Sequence, residues 1–506
     1  MNKLIKVLAF CAILSVLGGC TKNFEKYNTD PYAIKSSDPS ILIPTMIESL
    51  MYVQQNDSQM IDQMVGSLGG YYTLSNRWGG QNFDTFNASD SWNNIPYETM
   101  FLDIYANYFE IEKFTGASGH YYAMANILRA AAMMRVADMY GPIPYSKVTD
   151  GQMYVAYDKN EDVYKSIIED LKNAASVLAG YASAYPDKKP IAAQDPVFAG
   201  DYAKWAKLAN SYIMRAAVRS GDAEAFKSAY ESPFGFINVN ADNAMMDPRT
   251  QPNPYQLASA SWGDLRSGSS IVDYMNGYND PRRPAYFTKS TGGKYIGMRS
   301  GKGSFEKSAV QGYSMPNFEA TDKLPVFVAA ESQFLIAEAI LNGWISGSAK
   351  DFYEHGIKLS MEQWGAAGGY SAYVADNSSV PASYENDPIG RFPNYTRNTK
   401  VTIAWSDSAT KEQKLEKIIT QKWIANYPMG IEAWTEYRRT GYPELAPVID
   451  NLSNGVITNN ARGLRRLRYS YKEHTLNKDN YAAAVSLLGG KDDESVELFW
   501  AKKTNI

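Results

Sequence analysis

The sequence predicts a mainly α-helical protein in which antiparallel helix pairs alternate with long irregular stretches. Several segments repeat apolar residues at the three- and four-residue spacing of one helix face. No sustained alternation of strand and helix patterns occurs, which disfavours a doubly wound sheet. Three stretches, near residues 66–96, 231–326 and 366–407, are instead rich in Gly, Pro, Asn and Ser, and their frequent aromatic residues argue against disorder.

The helical segments have identifiable ends. NEDVYKSIIEDLKNAASVLAG repeats apolar residues at steps of three and four, and Gly180 is placed to end that helix. DYAKWAKLANSYIMRAAVRSG follows the same scheme up to Gly221, and HYYAMANILRAAAMMRVADMYG does so up to Gly141. Leu171 and Trp205 lie 34 residues apart, the length of a tetratricopeptide unit. Later helical segments are FVAAESQFLIAEAILNG, SAKDFYEHGIKLSMEQWG and ATKEQKLEKIITQKWIANY.

The N-terminus predicts a lipoprotein signal. Two lysines precede a short apolar run, and LGGC at residues 17–20 has the form of a bacterial lipobox. We expect cleavage of residues 1–19, acylation of Cys20 and a lipidated tether over residues 20–32; an ordinary secretory signal is the alternative. Because Cys11 is the only other cysteine, cleavage would leave neither a free thiol nor a disulfide.

Composition and motifs argue against several function classes. A formal net charge of −4 over 506 residues gives no electrostatic reason to expect nucleic-acid binding. The three histidines lack metal-site spacing, and neither HExxH nor GxSxG occurs. We therefore predict no cofactor, no metal site and no catalytic residue. A glycoside hydrolase stays open as an alternative, because its two carboxylates leave no sequence motif.

Several segments, taken in order, resemble the SusD/RagB family of Bacteroidota outer-membrane lipoproteins. They are RVADMYGPIPYS (135–146), EDVYKSIIEDL (161–171), WAKLANSYIMRAAVR (205–219), YNDPRRPAYF (278–287), PVFVAAESQFLIAEA (325–339), QKWIANYPMGIEAWTEYRRTGYP (421–443) and RLRY (466–469). With the lipobox, the resemblance covers essentially the whole mature chain and fits least well over residues 371–407.

The resemblance implies one SusD-like domain over residues 33–506. Its tetratricopeptide-like helix-pair scaffold would occupy mainly residues 97–230 and 325–445, and the three irregular stretches would form a loop-rich ligand-binding region. It implies a lipid-anchored outer-membrane protein, exposed on the cell surface, that captures oligosaccharide. Such a protein acts as a lid over a SusC-like TonB-dependent transporter, without catalysis. A peptide ligand, a surface glycoside hydrolase and a scaffold that binds only proteins are the alternatives.

The first irregular stretch has the residues of a sugar site. Aromatic faces cover the apolar C–H patches of a pyranose, while amides, carboxylates and guanidinium groups exchange hydrogen bonds with hydroxyls. Arg77, Trp78 and Asp84 lie around paired glycines that leave the backbone open to a ligand, so we expect them to bind it. Trp92 and Tyr97 are expected to be structural, beside a helix that begins near Tyr97.

The second irregular stretch supplies four more candidate ligand-binding residues among several glycines. They are Trp262, Tyr295, Arg299 and Tyr313. The resemblance implies that this region borders the ligand pocket. Because the region is the variable part of the family, the resemblance indicates where the pocket lies but not which residues contact the ligand.

Two charged motifs are expected to be structural. Asp280 precedes Arg282 and Arg283 in DPRR and is placed to pair with an arginine. Glu331 and Glu338 lie seven residues apart on one face of a predicted helix. Paired carboxylates can serve as acid and base in glycoside hydrolysis, but we expect these two to belong to the scaffold.

Overall fold

The computed structural model of the protein describes residues 38–387 and 389–501. Within those ranges the chain is mainly helical, with two small antiparallel sheets of two strands each. The predicted mainly α-helical class is thereby confirmed. The predicted signal peptide of residues 1–19, the acylated Cys20 and the tether over residues 20–32 lie outside the described residues.

The helical scaffold consists of helices of very different length. The longer helices are α1 (Asp90–Thr115), α2 (Gly119–Tyr140), α3 (Asn160–Ala184), α4 (Tyr202–Ser220), α5 (Ala223–Tyr230), α6 (Ser269–Gly277), α7 (Ala329–Leu341), α8 (Ala349–Gln363), α9 (Lys411–Ala425), α10 (Gly430–Thr440) and α11 (Lys478–Leu487). Short α-helical segments are Ile43–Glu48, Gln55–Asp57, Pro254–Gln256, Arg283–Tyr286, Tyr370–Val374 and Glu473–Leu476. Short 3₁₀ segments are Pro39–Leu42, Gly66–Gly69, Trp78–Gly80, Phe83–Thr85, Asn240–Asp242, Lys307–Val310 and Ala367–Gly369, and π-helical segments are Ser58–Gln63 and Leu257–Ser261.

Consecutive helices pack as neighbours, which gives the tetratricopeptide-like scaffold. α1 packs on α2, α2 on α3, α3 on α4, and α7 on α8. The predicted apolar face of α3 is buried, and both Leu171 of α3 and Trp205 of α4 are fully buried. None of the described helices combines the length and the apolar character needed to cross a membrane.

Two of the three predicted glycine helix ends are confirmed. α2 ends at Gly141 and α4 at Gly221, both with positive φ, which glycine adopts at little cost. The prediction that Gly180 ends α3 was wrong, because α3 continues past it to its end at Ala184. Beyond the glycine, Tyr181 packs against His120 with ring centroids 4.3 Å apart, so the last turn of α3 still has a packing surface.

The beginning of α1 also differs from the prediction. The helix starts at Asp90 rather than near Tyr97, and the Ser89 hydroxyl caps it by accepting a hydrogen bond from the Trp92 amide at 3.3 Å. Pro96 lies inside the helix, which is why the sequence suggested a later start. Trp92 and Tyr97 therefore belong to the scaffold.

The strands are short and join distant parts of the chain. β1 (Tyr72–Leu74) pairs with β3 (Leu265–Ser267), and β2 (Ala244–Met246) pairs with β4 (Leu324–Phe327). Three of the four strands and α6 interrupt the second predicted irregular stretch. The sequence did not predict these strands, because three or four residues are too few to show the alternation of apolar and polar residues that marks a strand.

Buried tyrosines account for part of the unusual tyrosine content of 37 residues. Tyr71 stacks on Trp423 with centroids 5.4 Å apart, and Tyr286 stacks on Tyr427 at 4.5 Å. Their hydroxyls reach backbone acceptors; Tyr286, for example, donates to the carbonyl of Ile424 at 2.8 Å. Tyrosine suits this core because its ring packs while its hydroxyl satisfies a buried carbonyl.

The two glutamates of α7 hold helices together. Glu331 is fully buried and accepts two hydrogen bonds from Arg215 of α4, at 2.7 and 2.8 Å. Glu338 accepts two from Arg439 of α10, also at 2.7 and 2.8 Å. The two carboxylates therefore serve the scaffold, as predicted, rather than facing a substrate.

The DPRR motif forms a buried ion pair, as its sequence predicts. Asp280 and Arg282 are both fully buried, and their side chains meet at 2.6 Å. Arg282 also donates to the Ser360 hydroxyl of α8 at 2.8 Å, so the turn is attached to the helical scaffold.

Candidate functional site

The candidate site forms where β1 ends and β3 begins. Beyond β1, the Ser75 amide donates to the carbonyl of Asp264 at 2.8 Å. In an antiparallel pair the chain leaves one strand and enters the other at the same end. Asn76 and Asp264, 188 residues apart in the sequence, are also joined there by a hydrogen bond. Trp78 and Trp262, each two residues from one of them, therefore lie on segments that meet at one end of the β1–β3 sheet.

A third segment is attached to the same end of the sheet. Gln311 accepts a hydrogen bond from Arg266 of β3 and donates to the carbonyl of Gly263 at 3.1 Å. Burial lowers the pKa of Arg266 to about 10. We refer to residues 75–81, 261–264 and 305–311 together as the tryptophan face.

Asp264 connects the segments of the tryptophan face. Its carboxylate accepts hydrogen bonds from Asn76 at 3.0 Å, from Gln59 at 3.1 Å and from the ammonium group of Lys307. The Asp264 side chain is 11% exposed, whereas that of Lys307 is 39% exposed. The carboxylate of Asp264 is thus already bound by protein donors and holds the segments in place. The ammonium group of Lys307 retains N–H groups that can donate to a ligand hydroxyl.

Trp78 lies on a loop with an unusual backbone. Trp78, Gly79 and Gly80 have φ values of 35°, 79° and 90° in succession. The indole of Trp78 is half-buried and packs edge-on against that of Trp92, with centroids 5.7 Å apart. No atom lies within 4 Å of the Cβ position at either glycine, so the backbone next to the indole is open to a ligand.

Arg77 and Asp84 pair with each other beneath this loop. The guanidinium donates to both carboxylate oxygens, at 3.0 and 3.2 Å, and also to the Thr85 hydroxyl at 3.2 Å. The Gly301 amide donates to the same carboxylate at 3.3 Å. Burial raises the pKa of Asp84, and the neighbouring Arg77 opposes that rise. Both side chains are buried, so the pair fixes the loop from below instead of presenting free groups to a ligand.

Trp262 and Tyr295 are the other two half-buried aromatic candidates. Both pack against the main hydrophobic core and keep part of their surface exposed. The guanidinium of Arg283 lies 5.8 Å from the centroid of the Tyr295 ring. Each therefore has an anchored ring with a surface that remains accessible.

Arg299 and Tyr313 lie in a second, smaller core beneath the loops. Arg299 donates to the carbonyls of Pro393 and Pro447, at 3.0 and 2.9 Å, and burial lowers its pKa. The Tyr313 hydroxyl donates to Asp387 at 2.6 Å, and burial raises the tyrosine pKa. These two residues hold the loop segments together, and the Tyr313 hydroxyl and both terminal nitrogens of Arg299 already have protein partners.

Of the seven predicted ligand-binding residues, only the aromatic Trp78, Trp262 and Tyr295 thus remain partly exposed. Sequence reasoning did not single out Asp264 and Lys307. Asp264 follows Trp262 by two residues, which is a local signal for the site. Nothing in the sequence connects Asp264 to Lys307, because their contact depends on the folding of the third segment.

The described residues offer no metal-binding cluster at this face. They contain no group of three or more His, Cys, Asp and Glu side chains that could hold a metal ion. Asp264 is the carboxylate at the junction of the three segments, and its oxygens are occupied by protein donors. Half-exposed indoles next to amide and ammonium donors suit the binding of a hydroxyl-rich ligand.

The helical scaffold thus supports a loop-built face whose composition suits ligand binding. A family profile described as SusD-like, the SusD and RagB outer membrane lipoproteins, matches residues 23–501. The chain belongs to this family. It is therefore a member of a family of outer-membrane lipoproteins, in agreement with the resemblance noted in its sequence.

Solved structures of SusD-like proteins are closely similar. A SusD-like protein from Bacteroides thetaiotaomicron is 36% identical with a TM-score of 0.88, covering 92% of this chain and 99% of that one. A homologue from Bacteroides uniformis is 37% identical with a TM-score of 0.85, covering 92% and 100%. A chitin-binding SusD homologue from Flavobacterium johnsoniae is 32% identical with a TM-score of 0.87, covering 92% and 99%. No curated protein gives a significant match.

Proposed function

We propose that this protein captures oligosaccharides at the cell surface and delivers them, as a lid, to a SusC-like TonB-dependent outer-membrane transporter. The observation that carries the proposal is the tryptophan face, where two half-buried indoles are borne by segments that also bear Asn76, Asp264 and Lys307. Indole faces cover the apolar surface of a sugar ring, and the amide and ammonium groups donate to its hydroxyls. The protein itself does not cleave the ligand.

Three residues are proposed as ligand contacts: Trp78, Trp262 and Tyr295. Arg77 and Asp84 are proposed to act indirectly, because their mutual ion pair supports the Trp78 loop. The chitin-binding relative, at 32% identity, supports a carbohydrate ligand over a peptide. The open backbone at Gly79 and Gly80 lets a ligand approach the loop beside the Trp78 indole.

Membrane attachment is proposed to occur through acylation of Cys20, with the tether leading to the folded body. We expect Cys20→Ala to abolish incorporation of a labelled fatty acid and to release the protein from the outer membrane. Protease treatment of intact cells tests surface exposure, since only a protein outside the outer membrane is accessible. Retention of label in the Cys20→Ala variant would contradict this part of the proposal.

The binding test uses the chain from residue 21 onward, which retains every described residue. An array of glycans and peptides is probed with this protein and with its Trp78→Ala variant. We expect binding to one class of oligosaccharide, intact recovery of that glycan, and weaker binding by the variant. The matched control is Trp344→Ala, which removes another half-buried indole, one that packs on Phe226 of α5. Binding to peptides alone, or hydrolysis of the glycan, would overturn the proposal.

The transporter partnership has its own test. We expect the acylated protein, expressed in its native cell, to co-purify with a TonB-dependent barrel and to retain that association when Trp78 is replaced by alanine. A Trp78→Ala variant that no longer binds the glycan but still co-purifies with the barrel would separate ligand binding from the association with the transporter. Recovery of the protein free of any barrel would refute the lid role.

A further inference from the structure

A second concave surface lies outside the tryptophan face. A cavity of about 570 Å³ is bounded by α1, by the loop after α2 and by the chain around residues 470–477. None of the residues that line it belongs to the tryptophan face. Its volume falls within the range of specific binding sites, roughly 300–1,000 Å³.

The cavity contains unusually exposed aliphatic side chains. Met153 is 82% exposed, Leu102 is 68% exposed and Leu476 is 62% exposed, the three highest values for large apolar residues in the described part of the chain. All three line this cavity, each from a different wall. Exposed apolar residues gathered around one concavity indicate an interaction surface, whereas isolated ones are common on any protein.

The wall formed by α1 is rigid. Tyr97, Phe101, Tyr105 and Phe109 follow one another at intervals of four residues and stack along the helix. Their successive ring centroids are 4.5, 5.6 and 5.7 Å apart, with interplanar angles between 25° and 30°. Such a stack restricts the side-chain rotamers, so this wall keeps its shape when a ligand binds.

The opposite wall is a closed surface loop. Ile143 and Asp158 form an isolated β-bridge, which brings together the two ends of the intervening chain, as in an Ω-loop. Asp150 of this loop forms an exposed ion pair with Lys113 of α1 at 2.9 Å, which attaches the loop to the helix. Met153 extends from the loop, and the flexible thioether side chain adapts to partners of varied shape.

The charges around the cavity have mainly one sign. The lining residues include four carboxylates and one ammonium group. The charged lining residues are Glu98, Glu110, Asp150, Glu473 and Lys472. Lys472 pairs with Glu98, and the neighbouring Lys113 pairs with both Glu110 and Asp150. Even with Lys113 included, carboxylates outnumber ammonium groups, which favours a cationic partner and disfavours an anionic membrane surface.

We propose that this cavity binds a segment of a partner polypeptide that carries apolar side chains flanked by lysine or arginine. Its apolar side chains contact Leu102, Met153 and Leu476, and its basic side chains lie near Glu110 and Asp150. A glycan is the poorer match, because the most exposed side chains of the cavity are aliphatic, whereas the aromatic rings with which α1 lines it are buried or half-buried. The proposal does not depend on the ligand of the tryptophan face.

The test is a selection from a phage-displayed library of random 12-residue peptides on the chain from residue 21 onward. The counter-selection uses a triple variant, Leu102→Ser, Met153→Ser and Leu476→Ser. The matched control replaces three comparably apolar exposed residues that do not line the cavity, Ile41→Ser, Val177→Ser and Val239→Ser. Because all six side chains are exposed, we expect both triple variants to fold, with melting temperatures close to that of the parent.

We expect enriched peptides to combine Leu, Ile, Met or Phe with Lys or Arg, and to bind the parent and the matched control equally. Fluorescence polarisation with the synthesised peptides should give at least about tenfold weaker binding to the cavity variant. Glu110→Gln with Asp150→Gln should weaken binding and reduce its dependence on salt. If the triple variant fails to fold, Met153→Ser alone serves as the comparison.

Three results would overturn the proposal. One is the absence of peptides that prefer the parent to the cavity variant. Another is enrichment of neutral or acidic peptides. The third is co-sedimentation of the parent, but not of the cavity variant, with vesicles of phosphatidylglycerol and phosphatidylethanolamine, which would identify a membrane surface as the occupant.

Discussion

Replacing Trp78 by alanine and, separately, by glycine distinguishes the two properties of this residue. Both substitutions remove the half-buried indole that we propose as a ligand contact. The two variants differ in how well residue 78 tolerates its backbone conformation. Trp78 has a φ of 35°, and the two glycines after it also have positive φ. A side chain with a Cβ is strained in this region, whereas glycine is not.

The size of each effect follows from the contacts. Loss of the edge-on contact with Trp92, at 5.7 Å, costs about 0.5–1.5 kcal/mol in folding free energy for either variant. Alanine retains a left-handed conformation that costs about 1–2 kcal/mol, while glycine avoids it and instead pays about 0.4–1 kcal/mol in unfolded-state entropy. The glycine variant should therefore be more stable than the alanine variant by about 0.5–1 kcal/mol.

Glycan affinity should respond differently. Both variants lose the same indole face, so both should bind the glycan identified on the array about ten- to thirtyfold more weakly, which corresponds to about 1–2 kcal/mol. Isothermal titration calorimetry measures the affinity, and urea unfolding measures the stability. Parental affinity in either variant would remove Trp78 from the site, and an alanine variant more stable than the glycine variant would refute the strain argument.

Three further predictions concern the scaffold and are tested by urea unfolding. Glu331→Gln removes the nearer of the two carboxylates that pair with buried Arg215, leaving Glu432 at 3.7 Å, and should cost about 3 kcal/mol. Glu362→Gln, in an exposed i,i+4 pair, should change stability by less than about 0.5 kcal/mol, and similar losses in the two variants would contradict the burial argument. Burial raises the pKa of Asp273 to about 7, so its contribution to stability is present below pH 4 and is lost as the pH rises through 7. Replacing Asp273 by asparagine also removes the partner of Arg397 at every pH, but the stability of Asp273→Asn relative to the parent should rise by about 1 kcal/mol or more between pH 4 and pH 8. A stability difference that stays constant over that range would exclude this cause. Gly180→Ala, at an open position inside α3, should stabilise the protein by about 0.5–1 kcal/mol. Gly430→Ala should destabilise it by about 1–3 kcal/mol, because the new Cβ would overlap a tyrosine hydroxyl and a facing glycine. A Gly430→Ala variant more stable than the Gly180→Ala variant would contradict this packing argument.

The candidate site was only partly predictable from the sequence. The composition of the first irregular stretch indicated a sugar site, and Trp78 is indeed partly exposed there. The same reasoning selected Arg77 and Asp84 for their hydrogen-bonding groups, yet the fold directs those groups toward each other. Residue type indicates which chemistry is available, but burial and pairing decide whether a ligand can reach it.

The sequence by itself determined the presence of the long helices, though not all of their ends, because a 3.6-residue apolar period is a local property. It also determined the DPRR ion pair, whose partners are two residues apart. Only the tertiary structure decided where the ligand face lies. The pairing of β1 with β3 joins segments nearly 200 residues apart, and each strand is too short to be recognised alone. Asp264 and Lys307 acquire their role through that same long-range packing, which no local pattern encodes.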